Sequence, residues 1–415
     1  MYPGSTVTPV RVILPVLMLV VFTISLGFGI LLPQLPTLVE RLLGAHTTPV
    51  QIARATGLLT AIYMLALFIF APVWGWLSDT WGRRRILLLE LTGFSATMIA
   101  SALFDTLATI YLGRALTGIF AAAITPVALA AVTDLSSGKK TLGRRLSIVS
   151  MAGISGFLFG PTMGVVLQQL PGGTWGAAGA LTVPLLATGG LALVAAIAVA
   201  VSLSGMIIPA QRMDEALLPS ASPWLIWQLL ILGFVVSAGV GVFEVGLVLR
   251  GKQELGLTPV QIAAMFTTCS LVMIVAQAAV FSLVRPEFTR WLVAPAFGVL
   301  AVGLFAVPLA GSFALMLLVT GGVAASAGML SPILTYWIAA GAGHESGAGL
   351  GKQTSAASLG AAVGSAAGGL LYDVTWLPNA AFVLTAGVVL LAVWPSLRLP
   401  GRLMPGATAT RELNS

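Results

Sequence analysis

The sequence predicts an all-α membrane protein with twelve transmembrane helices in two parallel repeats of six. Three observations support this fold class: an apolar composition, a series of long apolar segments, and an internal repeat. Of the 415 residues, 58% are hydrophobic and 8% are charged, and the mean hydropathy is +1.02. Soluble domains carry about 25% charged residues. The chain is therefore predicted to be embedded in a lipid bilayer.

Apolar segments long enough to cross a bilayer follow one another along the chain. The first contains no charged residue between Val12 and Leu32, and we expect it to be retained as a helix rather than removed as a signal peptide. The predicted helices lie near 12–33, 55–74, 86–104, 107–133, 147–170, 177–203, 224–249, 260–284, 292–310, 313–340, 354–375 and 379–397.

The basic residues predict the orientation. With a cytoplasmic N-terminus, fifteen of the twenty Lys and Arg residues fall in inner loops and tails and four in outer loops, while Arg114 lies within a helix. This asymmetry places both termini in the cytoplasm. The net charge of +7 is accounted for by these loops, so no nucleic-acid partner is implied.

The two halves of the chain are related in sequence. Residues 48–53 and 258–263 are the same hexapeptide, Thr-Pro-Val-Gln-Ile-Ala, each just before the second helix of its half. A second alignment matches Gly156 and Gly160 of the fifth helix with Gly364 and Gly368 of the eleventh. We therefore predict an N-terminal half (1–203), a linker (204–223), a C-terminal half (224–397) and a cytoplasmic tail (398–415).

A glycine-rich basic stretch, Gly-Trp-Leu-Ser-Asp-Thr-Trp-Gly-Arg-Arg-Arg, lies at 75–85 between the second and third predicted helices. Taken alone, it could be an ordinary basic loop on the cytoplasmic side. It also resembles the corresponding loop of major facilitator superfamily transporters. That resemblance implies a cytoplasmic latch formed by six residues: Gly75, Asp79, Gly82, Arg83, Arg84 and Asp134. In this latch Asp79 is expected to contact the start of the eleventh helix and to pair with Arg83.

The fifth helix contains Gly156, Gly160, Pro161 and Gly164 in the order G-x-x-x-G-P-x-x-G, which resembles a motif of proton-coupled drug antiporters. Glycines four residues apart allow close helix contact, and proline kinks a helix. We predict packing and hinge roles for these residues, with an ordinary small-residue interface as the alternative. The first helix ends in Gly-Phe-Gly-Ile-Leu-Leu-Pro-Gln-Leu-Pro at 27–36, which resembles the first helix of tetracycline-efflux-type antiporters. Ile24 stands where their pattern has an aspartate, so a site for a cationic or metal-chelated drug of the tetracycline kind is not implied.

Two charged residues lie within predicted helices. Arg114 belongs to a stretch that resembles the intramembrane arginine motif of the superfamily, and an arginine in a membrane normally faces a cavity or a partner. The alternative is that it snorkels toward the outer surface. Glu244 is expected near the same depth in the seventh helix, either as a proton-carrying group or as an ion-pair partner of Arg250 or Lys252. The predicted substrate and proton cavity contains Gln34, Arg114, Glu244, Tyr336 and Trp337.

These observations predict a secondary transporter that exports a small amphipathic compound in exchange for protons by alternating access. No nucleotide-binding motif, nucleophile constellation or metal-ligand cluster is present in the sequence, so we expect neither enzymatic activity nor a cofactor or metal. The alternatives are an uptake carrier for a nutrient or a metal ion such as iron, and a non-transporting sensor or scaffold. The expected partners are the substrate, protons and the lipid of a bacterial inner membrane, and the expected functional unit is a monomer.

Overall fold

The structure is a computed structural model that describes residues 10–44, 46–103, 106–122, 124–135, 139–168, 181–203, 222–283, 289–341, 346–374 and 377–399. Over these residues the chain is almost entirely helical. The helices are α1 (Val10–Leu31), α2 (Leu35–Leu43), α3 (Pro49–Trp81), α4 (Arg83–Ser101), α5 (Leu107–Ala121), α6 (Ile124–Asp134), α7 (Lys139–Gln168), α8 (Thr182–Ser202), α9 (Pro223–Gln253), α10 (Pro259–Leu283), α11 (Thr289–Ala306), α12 (Phe313–Gly341), α13 (Ser346–Leu370), α14 (Ala380–Leu391) and α15 (Val393–Leu397).

The remaining regular elements are short. Two 3₁₀ turns, Leu32–Gln34 and Val307–Leu309, follow α1 and α11. Two strands of two residues, β1 (Asp373–Val374) and β2 (Leu377–Pro378), pair antiparallel between α13 and α14. They form a turn between helices and not a sheet layer.

Ten stretches of helix in the described part of the chain are long and apolar enough to cross a membrane. The helices α4 and α13 are not among them, although they have 19 and 25 residues. The sequence explains both: α4 begins with three arginines and contains Glu90, and α13 is rich in glycine, alanine and serine. Together with these two, the helices are consistent with twelve membrane crossings. The protein is thus an integral membrane protein built from apolar helices.

The repeated hexapeptide forms the same helix start in both halves. At α3, the Thr48 backbone N–H donates to Gln51 Oε1 (2.9 Å) and the Gln51 N–H donates to Thr48 Oγ1 (3.3 Å). At α10, Thr258 and Gln261 make the same two bonds with the same lengths. These capping boxes satisfy backbone donors that a helix start otherwise leaves free. The sequence identity therefore encodes an identical local structure.

Glycines bring two pairs of helices into close contact, one pair in each half. A methyl group on Gly156 of α7 would lie 2.3 Å from the Phe22 carbonyl oxygen of α1, and one on Gly364 of α13 would lie 2.1 Å from the Ala238 carbonyl oxygen of α9. Only glycine fits such contacts, because side chains cannot enter a backbone-to-backbone interface. The alignment of α7 with α13 in sequence corresponds to equivalent packing in the structure.

Residues 75–85 are not a loop. The helix α3 continues to Trp81, and only Gly82 separates it from α4. Gly82 has a φ of 92°, a conformation that glycine adopts more readily than other residues, and its N–H donates to the Ser78 carbonyl oxygen. The prediction of a loop was wrong, because a single glycine is enough to turn the chain between the two helices.

Candidate transport cavity

A cavity of about 270 Å³ lies between the N-terminal half (α1–α8) and the C-terminal half (α9–α15). The N-terminal half contributes one face of α1 and one of α7. The C-terminal half contributes faces of α9, α10 and α12. The lining residues are Ser25, Phe28, Gly153, Ile154, Phe157, Val240, Phe243, Glu244, Phe266, Cys269, Met273, Val323, Ala324 and Ala327.

Helical periodicity explains why these residues share one space. On α9, Val240, Phe243 and Glu244 are three and four residues apart, so they lie on one side of the helix. The lining residues of α10 repeat in the same way. Each helix therefore presents a narrow stripe to the cavity.

Aromatic rings form a continuous row from one half to the other. Phe28 stacks on Tyr63 with 5.2 Å between ring centroids and on Phe157 with 5.8 Å. Phe157 then meets Phe266 of the opposite half edge to face, at 6.1 Å. Such contacts contribute about 0.5–1.5 kcal/mol each beyond the burial of area. The cavity wall is thus apolar, aromatic and shared by both halves.

Among the described residues that line this wall, Glu244 is the one that carries a charge. It is half-buried, and among the described residues no hydrogen bond or ion pair to its carboxylate is found. Because α9 extends to Gln253, Glu244 lies nine residues, or about 14 Å, from the end of the helix. It is deeper than the sequence predicted, since the helix runs past its expected end.

The alternative that Glu244 pairs with Arg250 or Lys252 is wrong. Arg250 pairs with Glu254 and donates to the Pro308 carbonyl oxygen at 2.6 Å. Lys252 pairs with Glu40 of the other half. Both cations are engaged at the end of α9, which leaves Glu244 to face the cavity.

Arg114 is buried, with 3% of its surface exposed, so it does not snorkel to the surface. Its guanidinium lies over the rings of Tyr63 (4.4 Å) and Phe28 (5.7 Å), and its Nε donates to the Leu59 carbonyl oxygen at 3.3 Å. Cation–π contacts of this kind offset part of the cost of burying the charge. Arg114 is not among the residues that line the cavity with Glu244.

The other predicted cavity residues lie elsewhere. Gln34 is buried in the 3₁₀ turn after α1. Tyr336 and Trp337 are in α12, but the cavity face of that helix ends at Ala327, nine residues or about 14 Å before Tyr336. Of the five predicted residues, the structure places Glu244 alone in the cavity wall.

Sequence reasoning missed the apolar part of the site, including Phe28, Phe157 and Phe266. An aromatic residue of a transmembrane helix can face a cavity or face lipid, and the sequence does not distinguish the two. The single cysteine of the sequence, Cys269, is buried and lines the cavity.

The two halves are in contact at one end of the molecule, which we call the outer side following the predicted topology. Thr162 and Thr267 share a hydrogen bond of 2.9 Å, Lys252 pairs with Glu40, and Gln253 donates to the Pro49 carbonyl oxygen. The tightest contact joins α3 and α13, where a methyl group on Gly57 would lie 2.6 Å from Gly369 Cα. The outer side is therefore closed.

The predicted latch is partly described. Gly75 lies in the last turns of α3, and Gly82 is the turn before α4; a methyl group on either would meet no atom within 4 Å. Arg83 donates to Ser78 Oγ, and Arg84 donates to the Ala200 carbonyl oxygen. The side chains of Asp79 and Asp134 lie outside the described residues, so the expected contacts of Asp79 stay predictions.

Gly156, Gly160, Pro161 and Gly164 all lie in α7, and the three glycines face α1. A methyl group on Gly160 would lie 2.7 Å from Gly29 Cα. Pro161 is buried inside the helix. This packing accompanies the motif, and the hinge role remains a prediction.

Comparison with known proteins agrees with this architecture. Multidrug resistance proteins 2 and 1 of Bacillus subtilis (strain 168) are each 26% identical to the chain, over 90% and 92% of it and 93% and 96% of their own lengths. The class B tetracycline resistance protein of Escherichia coli is 34% identical over 35% of the chain and 36% of its own length.

Solved structures share the fold. The human organic anion transporter MFSD10 superposes with a TM-score of 0.71 at 20% identity, over 94% of this chain and 99% of that one. A D-xylose-proton symporter superposes with a TM-score of 0.73 at 14% identity, over 95% and 100%. The sequence model of the Major Facilitator Superfamily matches residues 17–342. With this match over most of its length, the chain belongs to the major facilitator superfamily, a family of membrane transporters and not of enzymes.

Proposed function

We propose that this transporter exports small amphipathic compounds in exchange for protons, and that the proton and the substrate bind in turn to Glu244. The observation that carries the proposal is one carboxylate among the described lining of a mostly apolar and aromatic cavity between the two halves. The resemblance to multidrug resistance proteins supports export.

The chemistry of the cavity favours an apolar compound with a positive charge. A carboxylate in apolar surroundings is stable when it is protonated or when it contacts a cation. These two states exclude each other, so binding of a cation would release a proton and protonation would release the cation. Aromatic rings such as Phe28 and Phe157 would hold the apolar body of the substrate and contact its charge through their faces.

Alternating access would move the halves, residues 1–203 and 224–397, around this cavity. The contacts on the outer side would have to separate to release the substrate outward. We place the protein in a bacterial inner membrane, as a monomer with both termini in the cytoplasm, because the basic residues concentrate in the predicted inner loops.

Purified protein in liposomes with an imposed pH gradient tests the proposal. Tetraphenylphosphonium is a suitable probe because it combines aromatic groups with a positive charge. Wild-type protein is expected to move it against its gradient when protons flow the other way. Glu244→Gln should lose this gradient-driven transport, whereas Glu254→Gln, the matched change at the end of the same helix, should retain it.

A binding measurement tests the proposed function without assuming that tetraphenylphosphonium is a substrate. Cys269 is the only cysteine of the chain and lines the cavity, so a bound substrate should protect it from thiol reagents. A screen of drugs, sugars and divalent metals by this protection would identify the substrate class. Protection by sugars or metals but not by amphipathic cations would favour an uptake carrier, and no pH-driven flux of any compound would favour a non-transporting sensor.

A further inference from the structure

The exposed tryptophans of the described residues collect on one side of the molecule. They lie at the end of α3, at the starts of α9 and α11, and in α15, and each exposes more than half of its surface. The six residues are Trp76, Trp81, Trp224, Trp227, Trp291 and Trp394. Tryptophan is enriched at the level of lipid headgroups, so this side marks a membrane interface, which the predicted topology assigns to the cytoplasmic leaflet.

At one place on this side, two arginines lie on two of these rings. The Arg290 guanidinium is 4.2 Å from the Trp291 ring centroid, and that of Arg398 is 4.5 Å from Trp394. Arg290 also donates to the Leu399 carbonyl oxygen at 3.2 Å, which joins the start of α11 to the end of α15. The four residues, which we call the Arg–Trp surface, therefore form one local group.

Among the described residues, no acidic side chain balances the charge of this group. Within the described residues, neither arginine forms an ion pair with an acidic side chain. A guanidinium stacked on a ring keeps its N–H edge free to donate. Arg398 is exposed, and Arg290 lies at the first turn of α11, where the backbone N–H groups also favour an anion.

Apolar stripes lead from this group toward the middle of the bilayer. On α11, Val299 exposes 45% of its surface, and on α14 Val388 and Leu391 expose 50% and 75%. The helices α11 and α14 pack against each other. A diacyl lipid whose phosphate lies at the arginines would find apolar side chains for its acyl chains.

We propose that the Arg–Trp surface binds an anionic phospholipid of the cytoplasmic leaflet, with Arg290 and Arg398 donating to the headgroup phosphate and the tryptophans flanking it. The arginines select the negative charge, because a zwitterionic lipid offers the same phosphate beside a compensating cation. The site lies on the lipid-facing outside of the C-terminal half and does not depend on the transport cavity or on the proposed substrate.

Thermal unfolding of the purified protein in detergent tests the proposal, with dioleoylphosphatidylglycerol titrated against dioleoylphosphatidylcholine. The readout is the loss of helical circular dichroism on heating, since the described part of the chain is almost entirely helical. We expect the phosphatidylglycerol to stabilise wild-type protein at lower concentration than the phosphatidylcholine. Each arginine near an anionic headgroup contributes a small part of the binding free energy. The phosphatidylglycerol concentration needed for half of the stabilisation should therefore rise about 5-fold in Arg398→Gln and about 30-fold when Arg290→Gln is added.

Arg41→Gln is the matched control, because Arg41 is exposed at the outer end of α2; its lipid response should equal that of wild type. Arg398→Gln keeps the proposal testable if loss of the Arg290 bond to Leu399 impairs folding. Equal stabilisation of wild type by both lipids would overturn the proposal. So would an unchanged preference in Arg398→Gln, or a lipid effect that light scattering traces to association of two copies.

Discussion

Replacing Gly57 with alanine is expected to open the outer side of the transporter. The new methyl group would lie 2.6 Å from both Gly369 Cα and the Ser365 carbonyl oxygen, whereas ordinary contacts begin near 3.4 Å. The helices α3 and α13 would have to part by almost 1 Å. Since they belong to opposite halves, the opening motion itself relieves this clash.

The size of the effect follows from the cost of overpacking. Such insertions cost about 1–3 kcal/mol, and here the cost falls on the outer-closed state alone. The equilibrium should therefore shift toward the outer-open state by roughly 5- to 150-fold. Overall stability should change less, because the outer-open state accommodates the methyl group.

Accessibility of Cys269 measures this shift. A membrane-impermeant thiol reagent added outside intact cells should label Cys269 faster in Gly57→Ala than in wild type, since the cysteine lines the cavity. Gly190→Ala is the control, because a methyl group on Gly190 of α8 would meet no atom within 4 Å. If Gly57→Ala is well expressed and labels at the wild-type rate, the contact between α3 and α13 does not close the outer side.

Two further changes test local packing. Gly160→Leu, whose first side-chain atom would lie 2.7 Å from Gly29 Cα within the same half, should abolish exchange while membrane insertion persists; full transport activity would show that this contact is dispensable. Thr48→Ala and Thr258→Ala should each lower the free energy of unfolding by about 1 kcal/mol, because each removes the side-chain half of a capping box. Clearly unequal losses in thermal unfolding would show that the two helix starts are not energetically equivalent.

The sequence predicted the features of the fold that depend on composition and repetition. Apolar segments identified the helices, and the repeated hexapeptide marked the starts of α3 and α10, because the same Thr and Gln form the same capping box at both. The glycines of α7 and α13 could be aligned since backbone contacts tolerate no other residue. Helix ends were less predictable. Gly82 is the only residue between α3 and α4, and α9 continues past its last apolar run.

The site was less predictable than the fold. Glu244 could be singled out, because a charge within a membrane segment is costly and therefore conspicuous. Its aromatic neighbours could not, since facing a cavity and facing lipid require the same apolar residues. The separation of Arg114 from the cavity depends on the ring of Phe28, which lies beside its guanidinium. That arrangement arises where side chains of α1, α3 and α5 meet, which composition does not encode.

If a proton and a substrate compete for Glu244, as we propose, binding of the substrate must release the proton. Purified protein in weakly buffered detergent solution is mixed with tetraphenylphosphonium while a pH-sensitive dye reports released protons. We predict release from wild type and from Glu254→Gln, and none from Glu244→Gln, which has no carboxyl proton at that position. Undiminished release from Glu244→Gln, or binding to wild type without release at any pH, would show that the proton and the substrate do not compete for Glu244.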